Sequence, residues 1–492
     1  MASRRNAQID VIVVGAGPNG LAAAVTAARA GLRVRVYERA GWPGGGAATR
    51  ELTLPGFHHD VGAAIHPLAF ASHFFREFGL RDRVRFVTPD VSFAQPLVPG
   101  HSAIAYLDVE RTADRLGRDG ATYARLLRPL VDRTGGIAAL TGGSLLRIPR
   151  DLVAAGVLAA RALEQGSRGW GLRFRDAAAP ALLTGASAHT LLPQPSIAAA
   201  GAGLVLTAYA HAEGWPVPIG GSGAIIAAMV ADLEAHGGEI VSDHEVADLA
   251  AVPRARAILL DVTPRAFVRL AGPLMPARYR QAMERFRYGA GVAKVDFALG
   301  EPVPWADADL RRAGTVHLGG TRAEMVAAER EVLRGGHPER PYVLVAQPSA
   351  FDPTRAPAGR HTLWSYTHVP AGSPVDRREA VINQIERFAP GFRDTILAVS
   401  SRTAVGMEQV NPNHIGGDIS SGAPTLGQLF ARPVVRTDPW RTPIPGVYLA
   451  SASTAPGPGV HGLAGWHAAQ SALRNEFGIR TSPDLSPTAA TR

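Results

Sequence analysis

The sequence predicts an α/β protein, a parallel nucleotide-binding sheet interrupted by an inserted α+β unit, and three observations carry that reading. Residues 10–38 run as a β-branched strand, a Gly-x-Gly-x-x-Gly turn, a small-residue helix and a second strand ending in an acid. Strands of the same continuous apolar kind return far along the chain, at residues 257–263 and 446–451. Between them lie an Ala/Leu-rich helical stretch and alternating strands, which call for a different layer.

Each element follows from its residues. The opening strand Asp10-Val-Ile-Val-Val14 leads into Gly15, Gly17 and Gly20 with Pro18 and Asn19 between them. Gly15 allows the tight turn, Gly17 lets backbone approach a pyrophosphate, and Gly20 lets the helix pack on the strand, with helical N–H groups facing the phosphates. Glu38 falls 18 residues after Gly20, at the end of the second strand, where a carboxylate accepts from a ribose diol. Arg39, its neighbour, belongs to the same candidate cofactor site. Gly44, Gly45 and Gly46 and the run 56–62 are glycine-dense, as suits backbone close to a ligand.

From about residue 71 to 199 the pattern is helical, with apolar residues at three and four spacing over 112–134 and 150–164. The segment 215–222 leads into a helix over 224–236, followed by strands at 237–241 and 257–263. Alternation at 292–299, 342–347 and 361–368 predicts an inserted antiparallel sheet. A strand at 446–451, a Pro/Gly turn at 455–462 and a helix over 463–477 complete the nucleotide fold. The expected division is a discontinuous nucleotide-binding domain from 1–70, 200–272 and 395–480. A substrate domain would comprise 71–199 and 273–394, with a flexible Ser/Pro/Thr-rich tail at 481–492.

Composition narrows the function. A chain of 492 residues with 46% hydrophobic and 19% charged residues suits a globular protein of several domains. The net charge of +9 comes from 51 basic against 42 acidic residues, and Lys294 is the one lysine. The Arg and Gly excess looks like a composition bias more than a ligand signal. No basic block interleaved with aromatics points to nucleic acid. Cysteine is absent, which excludes disulfides, Cys-ligated metals and redox dithiols, so redox chemistry must belong to a cofactor. No His/Asp/Glu spacing makes a metal site, no serine stands in a nucleophile elbow, and no apolar run is long enough to span a bilayer. The expected location is cytoplasmic. Residues 151–163, apolar on one side with Arg147, Arg150 and Arg161 nearby, suit a core helix better than a helix at a membrane surface, with peripheral membrane contact left open.

These motifs resemble those of FAD-dependent oxidoreductases of the phytoene desaturase and amine oxidase superfamily, nearest to its phytoene-dehydrogenase-like branch. The resemblance covers roughly residues 9–80, 208–270, 284–306 and 402–476. It implies FAD as cofactor and a discontinuous Rossmann-like FAD-binding domain of the GR2 type with an inserted α+β substrate domain. Gly15, Gly17 and Gly20 would then bind the pyrophosphate and Glu38 the adenosine ribose, with the backbone at Val246 against the adenine. The run Ser453-Thr454-Ala-Pro-Gly-Pro-Gly459-Val460-His461-Gly462 resembles the flavin-end motif. Independently of that, a helix starting near Gly462 offers N–H donors to negative charge on a reduced flavin. Two departures matter. Close relatives carry Arg directly after the second glycine of the Gly-Gly pair, where this chain has Gly46 and Ala47, with Arg50 the nearest substitute. The C-terminal helix also lacks a carboxylate over 463–470, so ribityl contacts would fall to backbone or to Ser451, Ser453 and Thr454.

Lys294 and His461 are the catalytic candidates. A lone lysine among arginines suggests that a deprotonatable amine matters there. Its strand, Gly291-Val-Ala-Lys294-Val, resembles the amine oxidase strand whose lysine holds a water against the flavin. An exposed strand lysine is the bland alternative. His461 lies in the flavin-end turn, where a donor would be useful; His58, His59 and His66 follow the glycine cluster and are weaker candidates. One dinucleotide fingerprint, not two, argues against a disulfide-reductase type of enzyme. The expected reaction is dehydrogenation, desaturation or oxidation, with hydride passing from a hydrophobic, lipid or isoprenoid-like small molecule to flavin N5. Oxygen, a quinone or another carrier would serve as acceptor. A non-redox lipid-binding or regulatory module on the same fold, or a flavin-dependent isomerase, remains the alternative. Oligomeric state is not legible.

Overall fold

A computed structural model describes residues 9–487. Two larger sheets are built from β1 (Val11–Val14), β2 (Val34–Tyr37), β3 (Val91–Val98), β4 (His101–Tyr106), β5 (Glu239–Val241), β6 (Ala257–Leu260), β7 (Gly291–Leu299), β8 (Ala313–Leu318), β9 (Val343–Ala346), β10 (His361–Val369), β11 (Ile396–Arg402) and β12 (Val447–Leu449). The first sheet runs β12-β6-β1-β2-β5 and every pair in it is parallel. Such a sheet needs cover on both faces, which explains the unbroken burial of β1. The helix after the glycine turn, α1 (Pro18–Arg29), and the C-terminal helix described below pack together against it, with Ala-rich faces that allow close approach. Discontinuity in sequence is thus continuity in space.

The second sheet has seven strands, β11-β7-β10-β9-β8-β3-β4, antiparallel except for the β8–β3 pair. Its hairpin β3–β4 lies in the stretch expected to be helical. Ser92, Gln95 and Pro96 break the alternation there. Both polar side chains are buried and donate to carbonyls, Ser92 to Ala210 and the Gln95 amide nitrogen to Gly320. The remainder of that stretch is helical as expected, including α2 (Leu152–Gln165), α3 (Ala178–Ala188) and α4 (Ile197–Ala212). The expected boundary at residue 200 falls inside α4, which packs on α2 and α3. The boundary at 395 also shifts: β11 pairs with β7, so residues 396–402 belong to the seven-stranded sheet.

The last helix, α5 (Leu463–Phe477), has the bounds its periodicity predicts. Residues 481–487, expected to begin a flexible tail, are held down. Leu485 is 1% exposed in the core beneath α1, and Gln470 donates to the Ser482 hydroxyl. The expected tail residues 488–492 lie outside the described residues. Among the described residues, no helix is long and apolar enough to cross a membrane, and no cluster of His, Asp and Glu could hold a metal ion.

Candidate functional site

A single cavity of about 1050 Å³ runs between the two sheets, from the glycine turn to the helices α2 and α4. At its first end the turn is shaped by steric necessity. Gly15 has φ +98°, a Cβ on Gly17 would stand 2.8 Å from Asp261 Oδ2, and one on Gly20 would collide with the Gly15 carbonyl. Gly15, Gly17, Pro18 and Asn19 line the cavity; Gly20 does not, its missing Cβ serving close packing and its N–H going to Asp261. Asn19 Oδ1 is buried with no protein partner, which leaves a polar atom for a ligand at the N-terminus of α1. Glu38 reaches the same end from β2. Its Oε2 accepts from the Ala16 N–H at 2.7 Å and its Oε1 from the Ala40 N–H at 2.8 Å, which fixes the carboxylate and leaves lone pairs for hydroxyl donors. Arg39 and Val246 line this end too, with His244 and Arg269.

Gly45 and Gly46 line the middle of the cavity, whereas Gly44 turns away and donates its N–H to Ala16. The substitute arginine does not reach: Arg50 stacks on Trp42, 4.0 Å above the ring, outside the cavity. His414 is the group facing Gly46, at 3.8 Å from where a Cβ would sit, with its Nδ1 unpartnered. Burial holds that imidazole near pKa 4 and therefore neutral. Phosphate charge would be met by backbone N–H groups and neutral side chains.

Asp261, at the end of β6, is the residue the sequence reading missed under the turn. Its Oδ2 accepts the Gly20 N–H at 3.0 Å, and burial pushes its carboxyl up to about 7. In sequence it looked like one residue within the apolar strand expected over 257–263.

At the far end the C-terminal run forms the floor. Ser451, Gly459, Val460 and His461 line the cavity, while Ser453 and Thr454 do not: their hydroxyls donate to the Ser421 and Ser451 carbonyls. Gly462 is the N-cap of α5 with φ +66°, and a Cβ there would press on Phe74 and Ala22. His461 is committed to its own loop. Its Nδ1 accepts the Leu463 N–H at 3.0 Å, which assigns the proton to Nε2, 3.2 Å from the Gly457 carbonyl. Burial keeps it near pKa 4. Its geometry is that of a helix-start brace, with neither nitrogen left over for proton transfer.

Lys294 lines the cavity from β7 and is 2% exposed, so it is not an exposed strand lysine. Its ammonium pairs with Asp296 and lies 5.6 Å from the Trp364 ring. Burial pulls the lysine down from its usual pKa, and the Asp296 carboxylate opposes that. His59 stands behind, its Nδ1 3.9 Å from Asp296 Oδ1 and its Nε2 against Thr53; burial first, then Lys294, lower it to about 3. His66 lines the cavity with Nε2 on the Ser222 hydroxyl at 2.7 Å and is held near 4 by burial. His58 contributes its carbonyl to buried Arg355, which pairs with Asp60 at 2.8 Å. Tyr366, Trp364 and Leu344 continue the sheet-side wall; Leu158, Ile197, Val205 and Leu206 supply an apolar helical wall.

Helix α2 shows its other side to solvent. Leu152, Val153 and Leu163 are 69%, 57% and 55% exposed, while Ala154, Leu158 and Ala162 pack inward. The core-helix expectation therefore describes only one of its faces.

The glycine cradle, the fixed Glu38 carboxylate and the orphaned Asn19 oxygen fit an ADP-containing cofactor, and comparison with known proteins agrees. A model of an NAD(P)-binding Rossmann-like domain matches residues 13–78. Over 546 aligned positions the chain is 27% identical to the rat pyridine nucleotide-disulfide oxidoreductase domain-containing protein 2, covering 95% of this chain and 94% of that protein. A shorter stretch of 58 residues, 12% of this chain and 11% of the other, is 50% identical to hydroxyneurosporene desaturase of Rhodobacter capsulatus. In fold, the chain is similar to putrescine oxidase at TM-score 0.59 and 18% identity, covering 96% of this chain and 100% of that one.

Proposed function

On the premise that the chain fits the phytoene desaturase and amine oxidase superfamily of FAD-dependent oxidoreductases, we propose that it oxidises a hydrophobic small molecule held between the seven-stranded sheet and helices α2 and α4. The observation that carries this is the continuity of one cavity from the glycine turn and Glu38, past Lys294, into an apolar chamber. FAD bound there would supply a hydride acceptor at N5 and pass electrons on to oxygen, a quinone or another carrier.

The chain's residues divide the work. Glu38 receives the ribose, the α1 N-terminus and the Gly45–Gly46 backbone receive the pyrophosphate, and the α5 N-terminus offers N–H donors to charge at the flavin end. The apolar helical wall excludes water and orients a greasy carbon chain against the sheet. Lys294, held by Asp296, is the one ammonium at that end of the cavity among the described residues, suited to fix a water or carry a proton there. The exposed apolar side of α2, flanked by Arg147, Arg150, Arg168 and Arg173, would let a lipid-like substrate enter from a bilayer surface.

The test is anaerobic. The purified protein should show a flavin spectrum and release FAD on denaturation, and its visible absorbance should bleach with apolar alcohols, amines or polyenes. Readmitting oxygen, or adding a quinone, should restore it. A protein that neither carries nor takes up FAD would overturn the reading.

A further inference from the structure

One imidazole interrupts the apolar part of the cavity. His189, at the C-terminal end of α3, lines it beside Trp215, their rings 5.5 Å apart and close to perpendicular. Its Nε2 lies 2.9 Å from Nε2 of His317 on β8, which is fully buried behind it. Two nitrogens at that distance need one proton between them, so one ring donates and the other accepts. Burial holds both imidazoles far below the usual histidine range, so the pair is neutral.

The surroundings decide which ring donates. A Cβ on Gly185 would stand 2.5 Å from Gln95 Oε1 and 2.7 Å from His317 Nδ1, so these two atoms flank one small space, and neither has a hydrogen-bond partner. Gln95 Nε2 donates to the Gly320 carbonyl at 2.9 Å, which orients the amide oxygen toward that space. That oxygen does not bond the ring, but a negative amide end facing His317 Nδ1 favours a proton there over a bare lone pair, and the tautomer is assigned on that ground. His317 Nε2 is then bare and accepts from the His189 Nε2–H. His189 Nδ1 is left as an acceptor, and it pairs with no described protein group.

Strand register sets the position of that acceptor. His317, Leu344, Tyr366 and Lys294 are direct cross-strand partners over β8, β9, β10 and β7, and the last three line the cavity. Three strand steps of about 4.8 Å separate the His317 and Lys294 backbones by roughly 14 Å. We propose that His189 is the specificity-determining contact of the chamber, its Nδ1 accepting a hydrogen bond from a hydroxyl on an otherwise apolar substrate, beside a strand position three strands away from Lys294. This rests on reading the cavity as the substrate chamber. A hydrocarbon lacking the hydroxyl would leave the imidazole nitrogen unpaired, and that asymmetry is the source of selectivity.

The experiment titrates the FAD-loaded protein with dodecanol, dodecane and dodecyl methyl ether, following tryptophan fluorescence and flavin absorbance. Wild type should bind the alcohol roughly tenfold or more tighter than the alkane and the ether, the worth of one buried hydrogen bond. His189→Phe should bind all three alike while keeping its FAD, with a thermal midpoint lowered because buried His317 Nε2 loses its partner. Equal binding of the three probes by wild type would overturn the inference and leave the chamber reading standing, and needs no variant to fold. A preference that survives in His189→Phe would overturn the assignment to His189. Failure of every probe to bind a protein that retains FAD would overturn the chamber reading along with it.

Discussion

Lys294 and Asp296, two residues apart on β7, point to the same side of the sheet and form an ion pair in which each side chain is 2% exposed. Such a pair is weak evidence for stability, because desolvation offsets most of the attraction, but breaking it leaves a buried charge alone at a cost of about 3–5 kcal/mol. Its lysine lies at the cavity wall, where the proposed reaction would use a charged or titrating amine. Lys294→Met should keep FAD and lose turnover by about 10²-fold, the low end for loss of a proton-transfer group. Asp296→Asn should lower the thermal midpoint and move the lysine's inflection in the pH–rate profile to lower pH, since the carboxylate that holds the proton on is gone. An unaltered profile in Asp296→Asn would separate Lys294 from the chemistry.

Glu38 is held by the Ala16 and Ala40 N–H groups before any ligand arrives. Glu38→Gln replaces one fixed acceptor by an amide NH₂ and removes the charge that strengthens a bond to a ribose hydroxyl. Loss of one such charge-assisted bond, about 1.5–3 kcal/mol, should weaken FAD binding roughly tenfold to a hundredfold. Fluorescence titration of the apoprotein with FAD measures it, and an unchanged Kd would remove Glu38 from the site.

Asp261 makes the glycine turn sensitive to pH. Its folded pKa of about 7 lies above the ordinary carboxyl range near ~4, so between those values the native state keeps a proton that the unfolded chain has released. Stability should fall as pH rises through that window, by up to about 4 kcal/mol, then level off; Asp261→Asn should show no such slope. A pyrophosphate beside it would hold the proton on more strongly still. FAD affinity should therefore decline above pH ~7, approaching tenfold per unit in wild type and flat in the variant. Thermal midpoints and FAD titrations from acid to alkaline pH check both.

The parts that were legible in the sequence are those set by local geometry. The glycine spacing, the apolar parallel strands and the periodicity of α5 each express one constraint that neighbouring residues reveal, and the sheet they form is the one expected. Fixed pairings between distant segments were hidden. β3 carries Ser92 and Gln95 because carbonyls of a distant helix and of the loop after β8 accept from them, and with Pro96 beside them its alternation is erased. Asp261 matters through Gly20, and His189 through His317, separated by 241 and 128 residues respectively. His461 shows the converse: its place in the flavin-end turn suggested chemistry, yet its partners are the turn's own backbone.

That commitment of His461 yields the last prediction. With Nδ1 on the Leu463 N–H and Nε2 against the Gly457 carbonyl, the ring bridges the turn and the first residue of α5, and burial keeps it neutral near pKa 4. Removing it frees one helix-start N–H and one carbonyl and opens a void between α5 and Ser72, whose hydroxyl donates to the His461 carbonyl at 2.6 Å. His461→Ala should cost about 1–2 kcal/mol, as loss of a cap does, and reduce FAD occupancy because the α5 N-terminus is no longer held against the cavity. Molecules that do retain FAD should turn over at near wild-type rates with the same pH inflections. A proton-transfer role would give the opposite signature, full FAD occupancy and an unshifted thermal midpoint with turnover down by 10²-fold or more. Rates normalised to bound flavin, alongside the melting curve, distinguish the two.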